Sequence, residues 1–522
     1  MKPGKLFNVF LIIVLGLIFF GSNQIVSAEE GLIVGRSSEP RSLDPYYHNE
    51  TPTNSLNRNV HDGLVAFDSE LNVVPALAGK WENPDNLTWI FHLRKGVNFH
   101  NGDPFTAEDV RFSIERCKNW EKSGFKATVS QVENVEVIDP YTVKITTKKP
   151  FGILPRKLAQ VMILSKKFVE DHGDDYLTTH ENGTGPYVVK EWIKGDHLTL
   201  VANEKYWKGA PKIKKVIVRP LTNDPTRTAA ILSGEVHIID DLAVRDVARI
   251  KASQKVSLVS RPGLRLIYLQ MDQDRVNSPK VESPTGKNPL MDERVRKAIY
   301  LGIDEEAIVK YVMNSFAFAA SQFYPSAVFG YDKTIKRPGY NTEKAKKLLT
   351  EAGYPDGFTI TLDSPNDRYV NDEKIAQAVA ASLAKIGIKV KVNAIPKATF
   401  FPMSDRRETS FFLIGWACGD GDASAFLDGI AHTHDKAKGY GRYNRGRYSN
   451  TKVDRLVEAA SATVNTEERF KAMIEAQRIA LLEDQAFIPL HFQVDLYAKS
   501  NKISWKPRAN HYFYYYDFSF NK

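Results

Sequence analysis

TEKAKKLLTEAGYPDGFTITLDSPNDRYVNDEKIAQAVAASLAKIGIKVKV, residues 342–392, decides the fold class. Thr342 is placed to cap EKAKKLLTEA, and Gly353 followed by Pro355 ends that helix. Phe358, Ile360 and Leu362 then alternate with threonines, the period of a half-buried strand. Asn371 opens a second helix with Asp372 and Glu373 in its first turn, where negative charge suits the helix dipole. Ile375, Ala378, Val379, Leu383 and Ile386 share one face of it, Gly387 stops it, and IKVKV alternates again. Helix–strand–helix–strand units of this kind cover an open sheet with helices, which is an α/β architecture.

The same vocabulary continues on both sides. TWIFHL (88–93) alternates as a strand, and Thr106 with Asp109 can close a capping box on AEDVRFSIER. Leu32 to Glu82 is rich in strands and loops. Phe99-His100-Asn101-Gly102-Asp103 reads as a hairpin turn at Asn-Gly. Gly183-Thr184-Gly185-Pro186-Tyr187 is a tight backbone passage rather than a phosphate loop, since it lacks the GK[ST] ending. TSFFLI (409–414) is a strand that runs into Gly415-Trp416-Ala417-Cys418-Gly419-Asp420-Gly421-Asp422. Asn465 and Glu468 cap a late helix, and FIPLHFQVDLYA returns the chain to strand.

The 522 residues allow two or three domains at about 150 residues each. With 43% hydrophobic and 25% charged residues the chain is an ordinary globular protein. The net charge of +9 is dispersed, so no nucleic-acid arm or polybasic membrane patch is expected. Two cysteines, Cys117 and Cys418, exclude a disulfide scaffold and a CxxC zinc or redox centre, and they are expected to be free thiols. Residues 1–28 have the form of a cleaved signal peptide: Lys2 and Lys5, the apolar run Leu6–Phe20, then Val26-Ser27-Ala28. No cysteine stands near that site to carry a lipid. Loss of the two lysines, with no acid lost, brings +9 to +7.

Long motifs carry a family resemblance: SSEPRSLDPYYHN (37–49), NVHDGLVAFDSELNVVPALAGKWE (59–82) and LTWIFHLRKGVNFHNGDPFTAEDVRFSIER (87–116). It continues through GTGPYVVKEWIKGDHLTLVANEKYWKGAPKIKKV (183–216), MDERVRKAIYLGIDEEAI (291–308) and RYSNTKVDRLVEAA (447–460). In these the chain resembles family 5 of the bacterial extracellular solute-binding proteins, the peptide-, nickel- and opine-type receptors of ABC importers. The resemblance implies a two-lobed periplasmic-binding-protein-like clamp of the class II type, with an extra subdomain in the first lobe. Lobe I is expected over 29–272 plus 493–522, with the inserted subdomain at roughly 45–180, and lobe II over 273–492. A monomer in the periplasm is expected, which takes a di- or oligopeptide between its lobes and delivers it to membrane permease subunits. No cofactor, nucleic-acid partner or catalytic activity is expected. The rivals are the same role for an oligosaccharide, opine or metal chelate, a secreted hydrolase, and a loose chaperone for unfolded chains. For the hydrolase no HExxH, GxSxG or Cys–His motif can be found.

The candidate ligand residues follow from the same likeness. Peptide-binding relatives place an aspartate three residues after the motif tryptophan to pair with the ligand ammonium; here that place is Gly419, with Asp420 and Asp422 beside it. Asp420 is the first choice for the anchor, and Trp416 for the pocket wall. Arg368 and Tyr369 correspond to a pair that holds the ligand carboxylate and backbone, for which a guanidinium offers two aligned hydrogen bonds. Ser37, Ser38 and Glu39 fall where lobe I lines the cleft. Tyr46, Phe323 and Tyr324 are further aromatic candidates, balanced against core packing. No metal is expected: Asp420, Asp422, Ser424 and Asp428 begin an EF-hand-like count, but Ala425 and Ala431 replace its glycine and its bidentate glutamate. His432-Thr433-His434 has no nearby third ligand.

Overall fold

Two long antiparallel strands join the two halves of the main sheet. The computed structural model describes residues 31–521, so the expected signal peptide lies outside the described residues. In chain order the elements needed below are β1 (Leu32–Arg36), α1 (Thr51–Val60), β2 (Ala78–Asp85), β3 (Thr88–Leu93), α2 (Ala107–Asn119), β4 (Val132–Asp139), β5 (Thr142–Thr147) and α3 (Leu154–Leu158). They continue with β6 (Tyr187–Ile193), β7 (His197–Ala202), β8 (Lys215–Pro220), β9 (Ile238–Ile239), β10 (Val256–Met271), α4 (Thr342–Glu351), β11 (Thr359–Pro365), α5 (Asp372–Ala384) and β12 (Lys389–Ile395). The last are β13 (Phe411–Ala417), α6 (Thr451–Ser461), α7 (Thr466–Arg478) and β14 (Phe487–Ser500).

Twelve strands of the described residues form one sheet, with β11-β13-β10-β14-β9-β1-β8-β7-β6 along its path and β12 beside β11. Only β10 and β14 belong to both halves. Val256–Pro262 pairs with Ser500–Val494, next to β9, whereas Leu266–Gln270 pairs with Phe492–Phe487, next to β13. The register breaks between Pro262 and Leu266. Gly263 sits in that break, where a Cβ would come within 2.7 Å of the Gln493 carbonyl oxygen. The second sheet, β2-β3-β5-β4, is separate and antiparallel.

Each half has its own core. Ile267, Leu269, Ile360, Ile375, Val379 and Leu413 lie in one cluster, under α4 and α5; Leu32, Val34, Tyr187, Leu200, Tyr497 and Phe513 lie in another. A third cluster joins the four-stranded sheet to α6 and α7, with Phe91, Ile145 and Leu158 at one end and Val453, Ala476 and Phe487 at the other. No helix among the described residues is long and apolar enough to cross a membrane.

Local expectations are met with two adjustments. Asp109 accepts the Thr106 backbone N–H at 2.8 Å, and Asn465 caps α7. The turn at Asn101-Gly102 is present, with Gly102 at φ 94°. Gly183 has little room for any side chain, since a Cβ there would lie 1.9 Å from the Val60 carbonyl oxygen. The cap of α4 is Asn341 rather than Thr342, since the Asn341 side chain accepts the Lys344 N–H and Thr342 is already helical. Asn371 does not cap α5 with its side chain: it is left-handed at φ 57° and donates to the Val312 carbonyl, which leaves the turn to Asp372.

Candidate ligand-binding site

That substitution builds the site. Asp372 Oδ2 accepts the backbone N–H groups of both Arg368 and Tyr369 at 3.0 Å, which fixes the loop between β11 and α5. Tyr369 is buried against Gly415 of β13: its hydroxyl donates to the Gly415 carbonyl at 3.3 Å, and a Cβ on Gly415 would sit 2.7 Å from the ring. The next residue, half-buried Trp416, lies 5.2 Å from the ring of Tyr443. The two strands thus end in an aromatic platform, at the carboxyl edge where α/β sheets bind ligands.

Two guanidinium groups attend that platform. Exposed Arg368 lies 5.3 Å from the Tyr369 ring centre, and partly buried Arg265, from the register break of β10, lies 5.8 Å from it. Neither guanidinium has an ion-pair or hydrogen-bond partner among the described residues. Burial lowers the pKa of Arg265, and the charge of Arg368 lowers it further.

The acids of the motif loop have a different fate. Asp422 is buried, and both its oxygens are taken by Arg469 of α7 at 2.5 and 2.7 Å. Burial alone would raise its pKa, but Arg469 outweighs burial and brings it down to about 2. Asp420 is also buried; Lys157 of α3 holds its carboxylate at 2.8 Å, and Arg156 donates to its carbonyl at 2.6 Å. The same stretch of chain makes two more contacts. Lys149 donates to the Tyr440 hydroxyl at 3.2 Å, and Gly152 lies against Thr463 and Val464. Asp428, beside Lys157 and Arg469, is raised to about 6 by burial.

The expected residues of lobe I lie by a third group of charges. Ser37 donates its N–H to Asp240 at 2.7 Å and its hydroxyl to Asp241 at 2.6 Å. His511 stands 3.4 Å from Asp241, 3.3 Å from Asp495 and 2.8 Å from the Tyr497 hydroxyl. Burial opposes its charge, yet Asp495 and Asp241 carry its pKa well above the ordinary imidazole value. Asp240, Asp241 and His511 converge closely enough for a metal ion, but Arg36 pairs with Asp240 at 2.9 Å and brings a positive charge where a cation would sit. Ser38 lines a cavity of about 20 Å³ with Arg36 and Tyr515, while Glu39 turns away to Trp192 and Gly195. Tyr324 is fully buried and donates to the Ala423 carbonyl at 2.6 Å; Tyr46 and Phe323 are buried as well. These three rings are core, and Tyr324 therefore leaves no free polar atom for a ligand. His432 stacks on Tyr440 between Asp454 and Glu458, whereas His434 turns to the Gly441 carbonyl. Cys117 and Cys418 are buried free thiols.

A family model described as "Bacterial extracellular solute-binding proteins, family 5 Middle" matches residues 72–438. The chain belongs to this family. Among curated relatives, the glutathione-binding protein GsiB of Salmonella paratyphi A is 28% identical over 91% of this chain and 92% of its own. Among solved structures, HbpA2 of Haemophilus parasuis is 27% identical with a TM-score of 0.81, covering 94% of this chain and all of its own (100%). The periplasmic binding protein DppA of Helicobacter pylori, in complex with the peptide STSA, is 26% identical with a TM-score of 0.78, covering 94% and 98%. These likenesses make the fold a two-lobed clamp, and the family is one of solute-binding receptors of ABC importers.

Of the residues expected from sequence, the structure brings together Arg368, Tyr369 and Trp416, and it commits Asp420, Asp422 and Tyr324 to internal partners. Arg265, Tyr443 and the Lys157 partner of Asp420 were missed. Arg265 did leave a trace: it stands in step with Ile267, Leu269 and Met271, which are apolar and buried, and a charge in that row needs a reason.

Proposed function

We propose that this family 5 receptor captures a short peptide by its carboxylate and hands it to membrane permease subunits. The observation that supports this is the accessible guanidinium of Arg368 beside Tyr369 and Trp416. An unpaired guanidinium recognises a carboxylate through parallel charge-assisted bonds, and the aromatic platform buries the adjoining peptide unit. Lobe I (29–272 with 493–522) and lobe II (273–492) close over the ligand about the register break at Pro262–Leu266, because only the closed form contacts it from both sides. Asp420 and Asp422 are left out of the ligand set, since Lys157 and Arg469 already satisfy them. The protein performs no chemistry on what it carries. Residues 1–28 direct it to the periplasm and are removed there, where it works as a monomer.

That commitment of both motif acids favours a second reading, in which the ligand is a carboxylate without a primary ammonium group, of the opine kind. Native mass spectrometry of gently purified protein, followed by calorimetry with dipeptides and their C-terminal amides, separates the readings. Peptide acids are expected to bind at least tenfold more tightly than the amides. Failure of every peptide acid to bind, or hydrolysis of the peptides, refutes the proposal.

A further inference from the structure

Arg265 is the one feature of the platform that capture of a single carboxylate leaves unused. It enters from the register break of β10, opposite Ala417 at the end of β13. Its charge faces that of Arg368 around one tyrosine ring. The two charged carbons can be no farther apart than their distances to that ring laid end to end, about 11 Å, and both fall within cation–π range. Nearby acids do not relieve this. Asp241 and Asp495 are felt by Arg265, but Asp241 is engaged by His511 and Ser37, and Asp495 by His511. Elsewhere in the same region three buried carboxylates have found a cation: Asp420 with Lys157, Asp422 with Arg469, Asp240 with Arg36. Arg368 is exposed to water, but partly buried Arg265 has lost water without gaining an acid, and an incoming anion would supply the missing partner.

We propose that Arg265 is a specificity-determining residue that reads a second carboxylate, so that the preferred ligand is an acidic short peptide. One carboxylate pairs with Arg368 and the other with Arg265, with the peptide unit between them on Tyr369. This rests on the peptide-receptor reading above. Arg265 acts on selection alone: a peptide with one carboxylate still has Arg368, and loses only the second charge-assisted contact.

The test is calorimetry with matched pairs, Ala-Glu against Ala-Gln and Glu-Ala against Gln-Ala, on the full chain and on Arg265→Met. The unaltered protein is expected to prefer the better glutamate peptide at least tenfold over its glutamine partner, the range of a charge-assisted bond. In Arg265→Met that preference is expected to fall below threefold, and a circular dichroism spectrum and urea midpoint like those of the unaltered protein report an intact fold. Equal binding of the two members of each pair by the unaltered protein overturns this inference and leaves the peptide reading standing. A preference that survives in Arg265→Met overturns it as well. Binding of none of the four peptides overturns both.

Discussion

Replacing Asp422 by Asn tests whether the most acidic motif of the chain serves the ligand or the fold. The Asp422 side chain is 2% exposed and that of Arg469 is 7%, and their two contacts of 2.5 and 2.7 Å make a bidentate pair. Removing the charge of one partner leaves the other ion buried without compensation, which costs about 3–5 kcal/mol. The pKa gives an independent figure for the carboxylate. A drop from 3.8 to about 2 corresponds to about 2 kcal/mol of stability at neutral pH. Because the folded pKa is the lower one, this contribution is complete above pH 3.8 and is lost as the pH falls towards 2. Urea unfolding followed by tryptophan fluorescence is expected to show Asp422→Asn and Arg469→Met each losing about 3 kcal/mol or more. The double variant is expected to recover at least half of the summed loss, since the two residues interact directly. Ligand affinity of folded Asp422→Asn is expected to stay within about twofold. A loss below about 1 kcal/mol, or strict additivity of the two changes, would refute the assignment of Asp422 to the core.

Three further perturbations follow from close contacts and buried charges. Gly415→Val would press on the Tyr369 ring, which lies 2.7 Å from the added Cβ, and is expected to weaken ligand binding at least tenfold in calorimetry; unchanged affinity would detach Tyr369 from the site. Lys157→Met strands the buried Asp420 carboxylate and releases α3 from the motif loop. It is expected to cost about 3 kcal/mol in urea unfolding and to raise the radius of gyration of the ligand-free protein in X-ray scattering, and no change in either would refute the tether. His491 is fully buried with neither nitrogen hydrogen-bonded, and burial lowers its pKa to about 3. The unfolded chain protonates that imidazole near pH 6.5 and the folded chain only near 3, so stability falls as the pH drops between those values. At pH 5 the cost is about 2 kcal/mol, and His491→Leu is expected to remove it; an unchanged acid midpoint would show that other groups govern acid unfolding.

The architecture was readable because its signals are local. Alternation at Phe358, Ile360 and Leu362, the apolar face of α5 and the glycine stops need only neighbouring residues, and each produced the expected element. Even the misplaced cap was off by a single position, Asn341 for Thr342, since both residues can accept an N–H and only the backbone decides which one stays outside the helix. Arg368 and Tyr369 were nominated by the family likeness rather than by local pattern, and Trp416 by its place in a loop at the end of a legible strand.

The sign of the site was not legible, because it depends on which charges meet across the fold. Read along the chain, the motif loop is negative, with Asp420 and Asp422 beside the tryptophan, and it invites an ammonium. In space, the partner of Asp420 comes from 263 positions away and that of Asp422 from 47 positions away, so both acids are spent inside the protein. Arg265 comes from β10 and Arg368 from the loop after β11, and they meet around one ring with no acid left to pair with them. A loop that is acidic in sequence therefore borders the proposed site, whose unpaired charges are cationic. On the proposed reading, ligand charge follows from which ions the fold leaves unpaired rather than from which ions a motif contains.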